Sequence, residues 1–281
     1  MIGHHPLAGS GGLSMPIRLI ATDLDDTLLD SSGRIPRGAL DALAAARARG
    51  IRVTLSTGRM LASALPLARS MGANAPFVCY NGAMIASPAD GSVLFHQPIE
   101  TGLAREVLSL YRIMGWYIQS YLGDRLLVED REDPRARSYS EITGVPATAV
   151  GGSLFLPDAP PTKLLAIAGP DDDIEDMTRC TRACFGERLY IARSKARYLD
   201  MAHPDCNKGR ALARVARDLG IPMEEVLAIG DSDNDAEMIA AAGVGVAMGN
   251  GSARARAVAD AVAPSNDEGG VAWAVETYAL A

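Results

Sequence analysis

The sequence predicts an α/β protein in which a parallel-sheet core is interrupted by an inserted α/β cap domain. Two observations lead there. Short apolar runs alternate with helical segments at the start of the chain, and that order returns near residue 203 after a differently patterned middle. At 281 residues the chain also exceeds one ordinary domain.

Residues 16–22 read as a buried strand, because their apolar residues run together. The Ala-rich segment 36–49 has helical composition, with Leu40 and Leu43 spaced for one face and Gly50 as its stop. A β-branched run at 51–55, a helix at 60–71 and a short strand at 77–80 repeat the order, which implies right-handed crossovers and a parallel sheet. Beyond Asn81 and Gly82, segments 84–86 and 93–96 flank Ser87-Pro88-Ala89-Asp90-Gly91-Ser92, a hairpin pattern at a boundary. The middle then offers a helix at 102–114, strands at 117–121, 125–129 and 162–168, a helix at 174–185 and strands at 189–192 and 198–201. From Asn207 a helix runs through Leu219, followed by a strand at 226–229, a helix at 236–242 and a strand at 244–247. The expected division is therefore a core at 16–82 and 203–281, a cap at 83–202 and a flexible extension at 1–15. An insertion between strands of one sheet lies over their carboxyl ends, where open α/β sheets bind ligands.

Composition narrows the function classes. With 48% hydrophobic and 22% charged residues, the chain is expected to pack into a globular fold. A net charge of -7 argues against a nucleic-acid surface, which needs clustered Lys and Arg. The four cysteines lack C-x-x-C spacing and read as reduced thiols of a cytoplasmic protein. The four histidines lack zinc-ligand spacing. No run approaches the roughly 20 apolar residues of a bilayer span, and 1–15 lacks the basic start and apolar run of a signal peptide. The expected partner is a small ligand; oligomeric state is not legible.

The chemistry concentrates at strand ends. Asp23, Asp25 and Asp26 follow the first strand directly, and Asp23 and Asp25, two apart on an extended segment, are expected to converge where a cation offsets their repulsion. A second strand ends in Gly230-Asp231-Ser232-Asp233-Asn234-Asp235. Asp231 and Asp235 share one face if the chain turns helical at Asp233, and hard oxygen donors of this kind suit magnesium. Ser56-Thr57-Gly58-Arg59 closes another strand with a hydroxyl for a phosphoryl oxygen, a glycine for close backbone approach, and a base. Asn207-Lys208-Gly209 supplies an ammonium at a helix start. Arg193, Lys195 and Arg197 alternate along a cap strand and read as a solvated face in preference to a contact for an anionic substrate tail.

Taken in order, D-L-D-D-T, S-T-G-R, N-K-G and G-D-S-D-N-D resemble the motifs of the haloacid dehalogenase superfamily. The Cof-like branch, with its type IIB cap, is the nearer likeness, through Asn81-Gly82-Ala83, Gly249-Asn250 and Ser265-Asn266-Asp267-Glu268-Gly269-Gly270. The likeness runs from about Pro16 to the C-terminus, with the cap similar in layout only. It implies a Rossmann-like core and a phosphatase in which Asp23 takes the phosphoryl group as an aspartyl-phosphate and Asp25 serves as acid, then base. It implies magnesium held by Asp23, the backbone carbonyl of Asp25, and Asp231, with Asp235 close by. Thr57 and Lys208 would clamp the phosphoryl group, with Gly58, Arg59, Asn81 and Asn234 near the substrate. The substrate would be a small phosphorylated metabolite, a sugar phosphate or nucleotide-like cofactor. A sugar phosphomutase and a non-catalytic phospho-ligand-binding protein are the rival readings. Where many relatives carry glycine this chain has Asp26, expected to point away from the site.

Overall fold

The structure, a computed structural model, describes residues 16–281; the expected extension 1–15 lies outside the described residues. The chain opens with β1 (Leu19–Thr22), α1 (Arg37–Ala48), β2 (Arg52–Leu55), α2 (Leu61–Ser70), β3 (Phe77–Cys79), β4 (Met84–Ala86) and β5 (Val93–His96). It continues through α3 (Thr101–Met114), β6 (Ile118–Leu122), β7 (Arg125–Val128), α4 (Pro134–Thr143), β8 (Ala147–Ala149), β9 (Lys163–Ile167), α5 (Ile174–Phe185), β10 (Tyr190–Lys195) and β11 (Tyr198–Ala202). It ends with α6 (Lys208–Asp218), β12 (Val226–Gly230), α7 (Ala236–Ala241), β13 (Val244–Ala247), α8 (Ala253–Val258), β14 (Ala261–Val262) and α9 (Gly270–Tyr278).

The core sheet has the order β14-β13-β12-β1-β2, all parallel. β1 lies inside it with every residue buried, which is why its sequence shows no apolar-polar alternation. The continuous Val-Leu-Ala-Ile-Gly run of β12 has the same cause. β3 joins this sheet through a parallel bridge between Ser56 and Val78.

The inserted sheet has the order β10-β11-β9-β6-β7-β8 and is antiparallel except where β7 meets β8. Alternation separates its two faces. Leu164 and Ala166 of β9 and Leu199 and Met201 of β11 pack with Val107 and Tyr111 of α3 and Met177 and Phe185 of α5. The intervening Lys163, Leu165, Tyr198 and Asp200 line a cleft shared with the core. This is a Rossmann-like core with an inserted α/β cap, as expected.

β4 and β5 hydrogen-bond to β3 and not to the cap sheet. A boundary after residue 82 therefore passes between hydrogen-bonded neighbours. α4, β8, α8, β14 and α9 carried no reading in the sequence. In α4 only Ala136, Tyr139 and Ile142 are apolar, too few for a stripe, although Asp133-Pro134 is a helix-start signal: Asp133 accepts from the Arg135 amide at 2.8 Å.

Candidate active site

Parallel pairing of β1 with β12 brings the acidic segments together. Thr22 lies opposite Ile229, and the Asp23 amide donates to the Ile229 carbonyl at 2.8 Å, so the first residues beyond both strands emerge side by side. Asp23, Asp231 and Asp235 each offer a carboxylate oxygen within 4.8 Å of the others, and all three are buried. The expected turn at Asp233 is present as a 3-10 turn, Asp233–Asp235, which runs into α7. Asp235 is fixed by its own loop, its Oδ2 accepting from the Ser232 amide at 2.9 Å and the Asp231 amide at 3.1 Å. Thr27 Oγ1 donates to Asp231 Oδ1 at 2.7 Å and Ser232 Oγ to Oδ2 at 2.8 Å.

Lys208, the first residue of α6, is 1% exposed and donates to Asp23 Oδ1 and Asp235 Oδ1, both at 2.6 Å. Burial works against its charge, but the two carboxylates outweigh burial and hold its pKa above the ordinary value. One ammonium facing three buried carboxylates leaves an excess of negative charge. Burial, opposed by Lys208 and reinforced by Asp235 and Asp231, pushes Asp23 well above the usual carboxylate range, and burial with Asp235 pushes Asp231 up to about 6. Hard oxygen donors carrying uncompensated charge in a buried space fit a magnesium ion.

A pH-dependent stability follows. For carboxyls whose pKa is raised by folding, the stabilising contribution is complete below the unfolded value and is lost as pH rises through the folded one, near 6 for Asp231. A divalent cation removes that loss. The thermal shift between magnesium and chelator is therefore expected to be larger at about pH 7.5 than at about pH 5. Equal shifts at both pH values would count against a cation at these carboxylates.

Asp25 departs from its expected placement. Its carboxylate does not converge with that of Asp23 on a shared cation; Arg59 holds it through Nε at 2.9 Å and Nη2 at 2.7 Å. The chain leaves the extended conformation after β1 and enters a turn at 25–28, so the two-residue alternation stops applying. Burial opposes the Asp25 charge, but the Arg59 hydrogen bonds and charge prevail and hold its pKa below the ordinary value. Asp26 is exposed and is one of the residues at the cleft, with its backbone in the left-handed region at φ 61°, where glycine is the easier residue.

Thr57 is buried, its amide donating to the Val78 carbonyl at 2.9 Å, while Oγ1 accepts from the Arg59 amide at 3.1 Å. Gly58 answers a close approach: a Cβ there would sit 2.7 Å from Asn81 Oδ1. Asn81, at φ 55°, accepts from Asn234 Nδ2 at 2.9 Å, tying the turn after β3 to the turn after β12. Asp23, Asp25, Thr57, Gly58, Arg59, Lys208 and Asn234 line one cleft, and Asn81 stands behind Gly58.

Several further residues at the site were given no role there by the sequence. Thr27 and Ser232 orient Asp231, and Asn250 Nδ2 donates to the Asp26 carbonyl at 2.8 Å. Asn266 Nδ2 donates to the Leu29 carbonyl at 2.9 Å, bracing the turn after Asp23. From the cap come Tyr139, Ile142, Lys163, Ser194, Lys195, Tyr198 and Asp200. Lys195 lines the cleft while Arg193 pairs with Glu175, so the alternating basic residues do not share one solvated face. A bulge between Arg193 and Lys195 breaks the alternation. The four cysteines are free, and among the described residues no helix is long and apolar enough to cross a membrane.

Comparison with known proteins agrees with this geometry. The sequence profile of haloacid dehalogenase-like hydrolases matches residues 20–275. Phosphatase YwpJ of Bacillus subtilis is 32% identical, over 91% of this chain and 98% of its own. Among solved structures, a haloacid dehalogenase-like hydrolase from Bacillus subtilis superposes with a TM-score of 0.81 at 28% identity, covering 92% of this chain and 99% of its own. One from Bacteroides thetaiotaomicron gives 0.81 at 27%, covering 93% and 99%. With the four motifs gathered at one cleft beneath a Cof-like cap, the chain belongs to the haloacid dehalogenase-like hydrolases.

Proposed function

We propose that the protein is a magnesium-dependent phosphatase of small phosphate monoesters that acts through an aspartyl-phosphate on Asp23. The observation that carries this reading is the position of Asp23. It lies at the end of a buried strand with Oδ1 held by Lys208, while Oδ2 accepts no hydrogen bond among the described residues. That oxygen is the one to form a bond to phosphorus, as the bond from phosphorus to the leaving oxygen breaks. Lys208 and the hydroxyl of Thr57 would face the phosphoryl oxygens as their charge grows. Magnesium, held by Asp23, Asp231, Asp235 and the Asp25 carbonyl, would supply neutralisation of phosphate charge.

Asp25 would deliver a proton to the leaving oxygen and then take one from the water that releases phosphate from Asp23. Arg59 bears on both halves. Its bidentate grip favours the ionised form of Asp25, which is the form needed to activate water. A phosphoryl group entering the cleft competes for the guanidinium, and its relaxation lets Asp25 carry the proton.

For substrate, we favour a sugar phosphate or nucleotide-like phosphate. Tyr139, Leu165 and Tyr198 offer ring faces and apolar surface, and Lys163, Ser194 and Asp200 offer partners for hydroxyls. We take the cap to run from about residue 97 to 202, because β4 and β5 pair with β3. Activity on a panel of phosphate monoesters, with and without a chelator, tests the reading. Magnesium-dependent release of inorganic phosphate is expected. Chelator-insensitive release would remove the metal assignment, and isomerised sugar phosphate without release would mark a mutase.

A further inference from the structure

The cap grips one short segment of the core at two points. Gly123 and Asp124, at φ 58° and 56°, form the tight turn between β6 and β7 and carry the Asp124 carboxylate to the start of α2. That helix has no side-chain cap at Met60. Asp124 takes the role instead: Oδ1 accepts from the Leu61 amide at 3.0 Å and Oδ2 from the Ala62 amide at 2.9 Å. Tyr80, which follows β3, donates its hydroxyl to the same Oδ1 at 2.6 Å and its amide to the Arg59 carbonyl at 2.9 Å.

The second point is Lys163. Its ammonium, buried in the cap and paired with Asp200 Oδ1 at 2.5 Å, donates to the Gly58 carbonyl at 3.2 Å. Between the two points lies Arg59, the side chain that holds Asp25.

We propose that Asp124 and Lys163 are positioning residues through which the seated cap holds Arg59 against Asp25, so that the acid-base group is set only when the cap is in place. The proposal rests on the reading of Asp25 as proton carrier. Three features favour it over simple packing. The donors and acceptors are charged groups aimed at backbone atoms, the backbone atoms flank Arg59 on both sides, and among the described residues α2 has no other side-chain cap at that end. A cap that swung away would leave the Leu61 and Ala62 amides and the Gly58 carbonyl without these partners, and the Arg59 turn would lose its fixed frame. Lys163 would meanwhile keep Asp200 and the face of Tyr121, 5.0 Å from the ring centroid, so the cap retains its own charge pairing either way.

The test uses the full chain with Asp124→Ala and, as the milder form, Tyr80→Phe. One arm is hydrogen exchange over 59–64. Exchange is expected to rise about 10-fold or more in Asp124→Ala, less in Tyr80→Phe, with β12 unchanged. The other arm compares an aryl phosphate, whose leaving group needs little protonation, with an alkyl phosphate, which needs it fully. The kcat of Asp124→Ala should fall about 10-fold further on the alkyl ester. A merely structural loss would lower both esters by one factor, and that result, or unchanged exchange over 59–64, overturns the proposal. If the wild type hydrolyses neither ester, the phosphatase reading falls, while the exchange arm still decides whether Asp124 holds the segment.

Discussion

Asp23→Asn is expected to abolish phosphate release, by roughly 10⁴-fold or more, with the fold intact. The amide has almost the same volume and keeps an oxygen for Lys208, so packing at the end of β1 changes little. What it lacks is a nucleophilic carboxylate. Buried negative charge also falls by one of three carboxylates, and Asp23 is a group whose ionisation burial already opposes. Metal-free thermal stability near neutral pH should therefore hold or improve. Phosphate release measured beside a thermal melt separates the two effects. Unchanged release would reject covalent catalysis at Asp23, and a collapsed melt would reassign the residue to structure.

Lys208→Met carries the second large effect, and here stability and activity fall together. The ammonium is the shared partner of Asp23 and Asp235, and removing it leaves carboxylates facing one another in a buried space. Breaking a buried pair in this way costs about 3–5 kcal/mol, which for a protein of this size corresponds to a Tm lower by roughly 10 °C. Turnover should fall about 10²- to 10³-fold through loss of a fixed charge at the phosphoryl oxygens. Magnesium offsets the same carboxylate charge, so adding it should recover part of the lost Tm and little of the lost turnover. A variant with an unchanged melt in chelator would show that Lys208 does not balance those carboxylates.

The sequence was most informative where local and global demands coincide. Asp23 and Asp231 were legible because carboxylates directly after buried strands are costly unless something gathers them, and parallel pairing of those strands does so. Asp235 was legible from its spacing of four, once a helical turn at Asp233 was assumed. The placement of Asp25 was not, because alternation along a strand says nothing once the chain turns, and Arg59 meets it only in three dimensions. Nor could the cap contribution be read. Lys163 and Asp200 lie in apolar strands where a single polar residue looks like an interruption, and pairing between β9 and β11 is what makes them partners. Asp124 falls between the strands expected at 117–121 and 125–129 and carried no reading, because its service to α2 depends on how one domain sits on the other.

The neighbourhood of β1 and β12 bears on how the protein is made. Strand β1 is synthesised well before β12, its hydrogen-bonding partner on one side, which lies about 200 residues further along the chain. An apolar strand kept waiting that long invites wrong partners, since pairing between distant segments is slow and leaves edges open in the meantime. Chains truncated before β12 are therefore expected to aggregate and to bind chaperones, even though the cap they contain is complete.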